Sequence, residues 1–338
     1  MGLKEERITE IGLVLAVPAS FLISLMIGRY GIPVETLCRM LLSLVFPIEK
    51  TWPQTMETVF FQIRLPRITA AFFAGAALSL SGAVFQGLFK NPLVSPDILG
   101  VSYGAGFGAT LAILLTNGGL YLQLSAIFFG LCAVGVACLM ARFFQGSPVL
   151  VLVLSGIIVG AFFQALLSAL KYIADPYDKL PSIIFWLMGS LSRVNAEELY
   201  WTLPVFIAGM ALLWCCRWRI NLLSLGDGEA RSLGINVGLE RGGIIFICTL
   251  LSCLAVCLAG TIGWVGLVIP HAARLIAGSD YRKLTPACIC LGGIYLILID
   301  NAARALTMNE IPLGILTSLI GAPFFAFLLM KRKAGWRG

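Results

Sequence analysis

The sequence predicts an all-α integral membrane protein with about ten transmembrane helices. Of its 338 residues, 59% are hydrophobic and only 12% are charged, whereas a soluble domain is about half apolar and a quarter charged. Mean hydropathy is correspondingly high, at +0.94. Apolar runs near the ~20 residues needed to cross a bilayer also recur along the whole chain. We therefore expect a single transmembrane domain over residues 1–338, with no additional soluble domain.

The predicted spans follow one another along the chain with short connections between them. The ten apolar runs are Ile8–Ile27, Ile68–Phe89, Ile98–Leu115, Leu120–Met140, Val149–Leu170, Leu199–Cys216, Gly243–Ala259, Ile262–Ala277, Pro286–Ala305 and Ile311–Met330. Several are short or contain Gly and Pro, so nine or eleven spans also fit the sequence. The first run is longer than the hydrophobic core of a signal peptide, and we expect it to remain as an uncleaved span.

The distribution of basic residues predicts the orientation in the membrane. Ten spans place both termini on one side, and that side then holds 15 of the 24 lysines and arginines. Because cytoplasmic loops are enriched in Lys and Arg, we expect both termini in the cytoplasm, together with the polar segment 217–241. The net charge of +7 mostly reflects this topology, and nothing in it favours nucleic acid as a partner.

Small residues recur at every fourth position in three of the predicted spans. They are Ala71, Gly75, Ser79, Ala83 and Gly87 in the second span, Gly100, Gly104, Gly108 and Ala112 in the third, and Gly314, Ser318, Ala322 and Ala326 in the last. Such spacing lets helix backbones approach closely, and we expect these faces to be packing surfaces. The ten cysteines form no C-x-x-C motif and are expected to act as small apolar residues.

Few side chains suit catalysis or ion coupling. The sequence has no P-loop motif, and its only histidine, His271, is expected to be a hydrogen-bonded structural residue near the inner end of a span. A secondary transporter usually needs ionisable groups at membrane depth. The candidates Lys171 and Asp300 lie toward the outer ends of their spans, and Asp300 can pair with Arg304 one helical turn on. Energy for transport is therefore expected from a separate subunit.

The segment 217–241 is a polar stretch between two strongly apolar runs. It predicts two short helices: Asn221–Leu225, ended by Gly226, and a second helix that Asp227 caps and Gly234 stops. Small residues and apolar anchors would form the surface that this segment offers to a partner: Gly228, Ala230, Leu225 and Leu233. We interpret the segment as a docking loop, and the alternative is a solvated connector.

Motifs spread over the whole chain resemble those of one family. The matching strings are Arg64-Leu65-Pro66-Arg67; Ser81-Gly82-Ala83 with Gln86; Asn91-Pro92-Leu93 and Pro96; Leu99-Gly100-Val101 with Gly104-Ala105; Leu225-Gly226, Ala230 and Leu233-Gly234; Gly260 through His271; Arg274 with Asp280-Tyr281-Arg282; and Gly321-Ala322-Pro323. In this order they resemble the FecCD-type permease subunits of ATP-binding-cassette (ABC) importers for iron-siderophores, haem and cobalamin.

The resemblance implies a type II ABC importer permease that works with several partners. These would be a second permease copy or a homologous permease, two ABC ATPase subunits that hold ATP and Mg²⁺ on the cytoplasmic face, and a periplasmic or lipid-anchored substrate-binding protein. The chain itself would be no enzyme and would bind no cofactor. It would be a multi-pass protein of the inner (plasma) membrane of a bacterium or archaeon and would move its ligand by alternating access.

The resemblance also implies roles for individual residues. The helix that couples to the ATPase would contain Gly228, Glu229, Ala230, Arg231, Leu233 and Gly234. Arg64, Arg67 and Arg304 would face outward and pair with carboxylates of the binding protein, although Arg304 has an alternative role as the partner of Asp300. Asn91 and Leu93 would form a cytoplasmic gate, with Ser147 beside them.

The ligand is the least determined feature. The outer segment Ile32–Thr58 shows no firm match to the family, and Asp175–Glu198 resembles it only around residues 186–190. We expect an iron-siderophore or a similar metal chelate, because this is the commonest cargo of the family. Haem, cobalamin and molybdate are the alternatives within it. An ion-coupled secondary transporter or a structural membrane-complex subunit are the alternatives outside it.

Overall fold

The structure, a computed structural model, describes residues 3–28, 30–43, 46–116, 119–143 and 148–333. Within these ranges the chain forms fifteen α-helices and no strand: α1 Leu3–Met26, α2 Val34–Leu42, α3 Gln54–Thr58, α4 Leu65–Leu88, α5 Val101–Leu115, α6 Leu120–Phe143, α7 Pro148–Ile173, α8 Lys179–Met188, α9 Ala196–Cys215, α10 Arg217–Leu225, α11 Asp227–Ser232, α12 Val237–Ala259, α13 Val265–Ala277, α14 Tyr281–Ala305 and α15 Leu313–Lys333. A π-helical turn, Val59–Arg64, leads into α4, and a 3-10 turn, Pro96–Leu99, precedes α5.

Six helices in the described part of the chain are long and apolar enough to cross a membrane. They are Gln54–Leu88, Leu120–Phe143, Leu150–Ile173, Ala196–Cys215, Val237–Ala259 and Tyr281–Ala305. Shorter apolar helices occupy the other predicted spans: Ile11–Met26, Val101–Leu115, Val265–Ala277 and Leu313–Phe327. The all-helical fold is confirmed, while the number of spans and the side on which the termini lie stay predictions.

Helix α4 is the centre of the bundle. Most of its residues are buried, and it packs against α12, α13 and α14. A Cβ atom at Gly75 would overlap the backbone carbonyl of Gly292 in α14, and one at Gly82 would overlap that of Gly266 in α13. The helix backbones therefore touch directly, as the small residues of the second span predict.

The other two small-residue faces differ from each other. In α5, a Cβ atom at Gly104 would lie 2.5 Å from the carbonyl oxygen of Phe129 in α6, so this face packs closely within the chain. In α15, Ser318 and Ala326 are exposed. The predicted packing face of the last span is therefore open at these two residues, whereas at Gly314 a Cβ atom would lie 2.8 Å from the carbonyl oxygen of Met188.

The predicted span Ile262–Ala277 becomes helical only at Val265. Helix α12 ends at Ala259 and α13 starts only at Val265, and both end residues of the segment Gly260–Trp264 have left-handed φ angles, of 72° and 70°. Irregular backbone at membrane depth is tolerated where protein surrounds it. Here the hydroxyl of Thr261 donates to the carbonyl of Leu187 at the end of α8, which secures the segment against a neighbouring helix.

Two other features of the fold differ from the sequence prediction. Helical residues run unbroken from Gln54 to Leu88, so the second span starts 14 residues before the predicted Ile68. Helix α8 was not predicted; its ten residues are too few to cross a bilayer. The backbone N–H of Leu313 donates to the carbonyl oxygen of Gly189 at 2.9 Å, and this bond ties the end of α8 to the start of α15.

Candidate coupling loop, gate and outer arginine cluster

The polar segment 217–241 contains the two short helices expected from the sequence. Helix α10 begins four residues earlier than predicted, at Arg217, and Gly226 separates it from α11. The end of α11 is the glycine cap predicted for Gly234. This residue has a φ of 81°, and its N–H donates to the carbonyl of Arg231 at 2.9 Å. The next N–H, of Ile235, donates to the carbonyl of Ala230 at 3.1 Å, which completes the cap.

This segment, residues 217–241, is the candidate coupling loop, called the coupling loop below. Fewer of its residues are exposed than the sequence indicates. Leu225 and Leu233 are 60% and 57% exposed, and nothing lies within 4 Å of a Cβ atom placed at Gly228. Ala230, in contrast, is fully buried within the chain. It anchors α11 to the bundle and offers no surface to a partner, so close approach from outside is possible at Gly228 and not at Ala230.

The predicted capping role of Asp227 is wrong. Asp227 is the first residue of α11, and no side chain caps this helix. Its carboxylate instead accepts two hydrogen bonds from Arg241 at the start of α12, at 2.5 and 3.1 Å. These bonds, together with the positive charge, hold the pKa of Asp227 below its usual range. The pair closes the coupling loop onto the next helix.

Asn221 joins the coupling loop to the centre of the bundle. Its side-chain amide donates to a carboxylate oxygen of Asp280 at 2.6 Å, and its carbonyl oxygen accepts from the backbone N–H of Tyr281 at 2.9 Å. The hydroxyl of the buried Tyr281 donates to the carbonyl of Ala83 in α4 at 2.5 Å. Movement of α10 would therefore act on both α14 and α4.

The segment predicted as the gate is a tight turn after α4. The side-chain oxygen of Asn91 accepts from the backbone N–H of Leu93 at 2.9 Å, and this bond shapes the turn. Leu93 is 48% exposed, so an apolar side chain projects from it. The third predicted gate residue, Ser147, lies outside the described residues.

Two side chains connect this turn to neighbouring elements. His271 Nε2 in α13 lies 2.9 Å from the carbonyl oxygen of Pro92, and because a carbonyl can only accept, this ring nitrogen carries the proton. The hydrogen bond expected of His271 is thus present. The ammonium of Lys90, next to Asn91, donates to the carbonyl of Leu225 in the coupling loop. The predicted gate therefore touches both α13 and the loop.

The three arginines predicted to face outward are buried in the structure. Arg64, Arg67 and Arg304 are 4%, 6% and 7% exposed. Arg67 contacts both carboxylate oxygens of buried Asp300, with Nη2 at 2.8 Å from Oδ1 and Nε at 3.1 Å from Oδ2, and both oxygens of Glu310, at 2.8 and 2.9 Å. Its planar fork thus binds two carboxylates bidentately.

The remaining two arginines are held mainly by oxygens other than carboxylates. One amino group of Arg304 donates to the carbonyl and hydroxyl of Ser24 at 2.9 and 2.7 Å, and its Nε lies 3.4 Å from Asp300. Arg64 donates to the carbonyl oxygens of Leu25 and Tyr30. The alternative role of Arg304 as a partner of Asp300 is therefore seen, and docking of a binding protein by these arginines stays a prediction.

A polar cavity of about 380 Å³ lies at the opposite end of the bundle from the coupling loop. Its lining includes Gln123, Lys179, Arg193 and Glu198, which come from α6, α8, α9 and the connection before α9. Among the described residues, the side-chain oxygen of buried Gln123 has no hydrogen-bond partner. Sequence reasoning missed this site, because its residues lie in distant segments without a shared motif.

The described part of the chain is an all-helical bundle with six helices long and apolar enough to cross a membrane, which is typical of a multi-pass membrane protein. The chain belongs to the FecCD transport family, whose family model matches residues 14–331. Proteins of this family are the permease subunits of ABC importers, and ATP is hydrolysed by separate subunits.

Several characterised relatives and solved structures are similar to the chain. The molybdate import permease MolB of Haemophilus influenzae is 43% identical over 96% of both chains, and a probable iron chelatin permease of Helicobacter pylori is 41% identical over 82% of this chain and 84% of its own. The vitamin B12 permease BtuC of Salmonella typhi is 39% identical over 81% of this chain and 84% of its own.

Among solved structures, one described as "an inward-facing conformation of a putative metal-chelate type ABC transporter" has a TM-score of 0.85 at 41% identity, covering 95% of this chain and 98% of its own. PsaBC from Streptococcus pneumoniae has a TM-score of 0.61 at 20% identity, over 80% and 93% of the two chains, and shares the fold alone. The protein is thus a permease subunit of an ATP-driven importer.

Proposed function

We propose that this chain carries a metal chelate, in the first place an iron-siderophore, inward across the inner (plasma) membrane. The observation that carries the proposal is its similarity to chelate permeases along most of its length, at 41% identity to both the Helicobacter pylori chelatin permease and the inward-facing metal-chelate transporter. It acts as one of two permeases, with two ABC ATPases on the cytoplasmic face and a binding protein outside.

Molybdate is the second candidate cargo. The molybdate permease of Haemophilus influenzae matches a larger share of the chain than the chelatin permease does, 96% against 82%. The outer cavity also contains two cations, Lys179 and Arg193, balanced by two acidic residues, Asp178 and Glu198. Such a lining accommodates an oxyanion or the polar rim of a chelate, so cargo must be decided by transport measurements.

The proposed mechanism is alternating access driven through the coupling loop. Closure of the ATPase dimer moves α10 and α11, and the contacts of Asn221 with Asp280 and Tyr281 pass that movement to α14 and α4. Lys90 passes it to the gate turn, where Leu93 opens or closes the inner end. The loop needs only to favour one of two packings of the bundle, because a small energetic bias shifts such an equilibrium.

Docking of the binding protein requires an exchange of partners at the outer arginine cluster. Glu310 is the most exposed partner of Arg67, with 35% of its side chain accessible, whereas Asp300 is 1% exposed. A carboxylate of the binding protein therefore replaces Glu310 first and leaves Asp300 in place. In this mechanism the exchange of partners at Arg67 is transmitted to α14 through Asp300. Arg64 and Arg304 hold α1 in place by their hydrogen bonds to Leu25 and Ser24.

Uptake in cells with and without this chain tests the proposal. Cells are starved of iron and given radio-iron siderophore, with haem, cobalamin and molybdate as competitors, and ⁹⁹Mo-molybdate uptake is measured in parallel. Loss of energised iron-siderophore uptake on deletion, restored by the gene, supports the proposed cargo. Unchanged iron uptake together with lost molybdate uptake would replace it by the second candidate, and loss of neither would overturn both.

A further inference from the structure

A groove at the same end of the bundle as the coupling loop has no role in the transport mechanism. It has a volume of about 510 Å³ and lies between α1, the end of α9, the end of α13 and the start of α14. Its wall is largely apolar and includes Val14, Trp214 and Leu275. Val14 and Leu275 are 61% and 74% exposed, so the groove opens to the outside of the bundle.

The rim of the groove is positively charged. Arg274, Arg282 and Lys283 line it, and none of the described residues in its lining is acidic. Arg274 is committed to Gln86, whereas Arg282 is exposed. The nearest acid along the chain, Asp280, uses a carboxylate oxygen for the amide of Asn221 and the backbone N–H of Arg282. The side chain of Arg282 is therefore available to an anion at the mouth of the groove.

A second, adjoining groove extends this charged rim. It has a volume of about 540 Å³ and shares Trp214 and Arg282 with the first, to which it adds Arg217 and Trp218. The guanidinium of Arg217 lies 4.8 Å from the centre of the Trp214 ring, which fixes a cation beside an aromatic wall. Tryptophan at this position is typical of the level where lipid headgroups meet water.

The lining changes with depth in the way that a phospholipid changes along its length. From Arg282 at the rim to Cys290 at the bottom, α14 advances eight residues, or about 12 Å at 1.5 Å per residue. At that depth the lining consists of apolar or small side chains from α1 and α14, among them Val14 and Ala287. A soluble partner cannot follow the groove into the apolar depth of the membrane, whereas an acyl chain can.

We propose that this groove is a binding site for an anionic phospholipid. The headgroup phosphate contacts Arg282 and Arg217 beside Trp214, and one acyl chain lies along Val14, Leu275 and the first turns of α14. Each lysine or arginine near the membrane surface increases the affinity for an anionic lipid about fivefold. The site lies next to α10, so the bound lipid packs against the base of the coupling loop.

Competition between phosphatidylglycerol and phosphatidylethanolamine in the purified full-length permease tests the proposal. Retained lipid is counted by native mass spectrometry for the wild type, for Arg217→Gln/Arg282→Gln, and for Arg142→Gln/Arg231→Gln, which removes the same charge elsewhere at the same end of the bundle. We expect a preference for phosphatidylglycerol that falls roughly 25-fold in the groove variant and persists in the control variant. Equal retention in the two variants, or no preference in the wild type, would overturn the proposal.

A second pair of variants tests the position of the acyl chain without changing charge. Val14→Trp fills the lower groove, while Leu139→Trp adds the same bulk at a position on α6 that is 55% exposed. We expect Val14→Trp alone to reduce lipid retention. A photo-reactive amino acid that replaces Leu275 in the assembled transporter should also crosslink to lipid. Crosslinking to the ATPase and not to lipid would show that a protein covers the groove and would overturn the proposal.

Discussion

Asp300 is the side chain on which the outer arginine cluster depends, and its neutralisation makes a quantitative prediction. It is 1% exposed, contacts Arg67 at 2.8 Å and lies 3.4 Å from Arg304. In Asp300→Asn, Arg304 keeps no carboxylate and Arg67 keeps only Glu310. Removing one member of a buried ion pair costs about 3–5 kcal/mol, because a buried charge is left uncompensated. We expect a loss of this size in the free energy of unfolding.

The measurement is equilibrium unfolding of the purified permease in mixed micelles or bicelles, with Glu310→Gln as the matched control. Glu310 also binds Arg67, but its side chain is 35% exposed, and an accessible ion pair contributes about 1 kcal/mol or less. Replacing both partners, in Arg67→Met/Asp300→Leu, should recover only the part of the loss that comes from the buried charge of Arg67, because Arg304 still has no carboxylate. If Asp300→Asn costs no more than Glu310→Gln, the cluster does not depend on a buried charge and the argument fails.

Three further predictions follow from the packing and the coupling loop. Gly82→Val should destabilise the protein by roughly 1–3 kcal/mol, because the new side chain would overlap the backbone of Gly266. Gly135→Val is the control, since its side chain enters open space and should change the melting temperature little. Equal effects of the two variants would refute direct contact between the helix backbones. Gly228→Trp should abolish uptake without lowering thermal stability, while Ala230→Trp should lower stability; intact uptake in Gly228→Trp would argue against coupling there. The lowered pKa of Asp227 predicts that its ion pair with Arg241 stabilises the protein above pH about 4 and that this stabilisation is lost as the pH falls through the lowered pKa. The melting temperatures of the wild type and of Asp227→Asn should therefore converge at acid pH. A difference in melting temperature that persists at acid pH would contradict this prediction.

The sequence was sufficient to predict the features that the apolar interior of the bilayer imposes on the chain. Long apolar runs must be helical there because backbone groups have no water to bind, and small-residue spacing indicates where helices touch, as at Gly75. The end of α11 at Gly234 was also predictable, because a left-handed cap favours glycine. These features depend on local composition and on spacing within one segment.

Features created by distant segments were not predictable. Arg67 and Asp300 are 233 residues apart, so nothing local indicates that the arginines are buried. Charge reversal at Arg64 and Arg67 would consequently disturb the fold as well as any docking, and Glu310→Gln is the cleaner probe of the docking prediction. The burial of Ala230 was hidden for the same reason, since the exposure of a short helix depends on the surface beneath it.

Hydropathy places a break between the predicted spans Gly243–Ala259 and Ile262–Ala277, but it does not show that the break between α12 and α13 extends to Trp264. Ile262–Ala277 is apolar throughout its first half, and an apolar run predicts a helix whether or not the chain is helical. Trp264 has a positive φ, and Gly321 of α15 lies against its side chain, a contact between distant segments that hydropathy does not report. Hydropathy reports the environment of a segment and not its conformation.

The separation of the arginine cluster along the chain has a consequence for biosynthesis. Helix α4 leaves the ribosome more than 200 residues before α14, so Arg67 enters the membrane long before Asp300 and Glu310 exist. A charged residue without a partner is costly inside the bilayer, and the early helices must hold it near the headgroups until then. A polypeptide truncated before α14 lacks both carboxylates that bind Arg67, so this arginine gains its ion pairs only after most of the chain has been made.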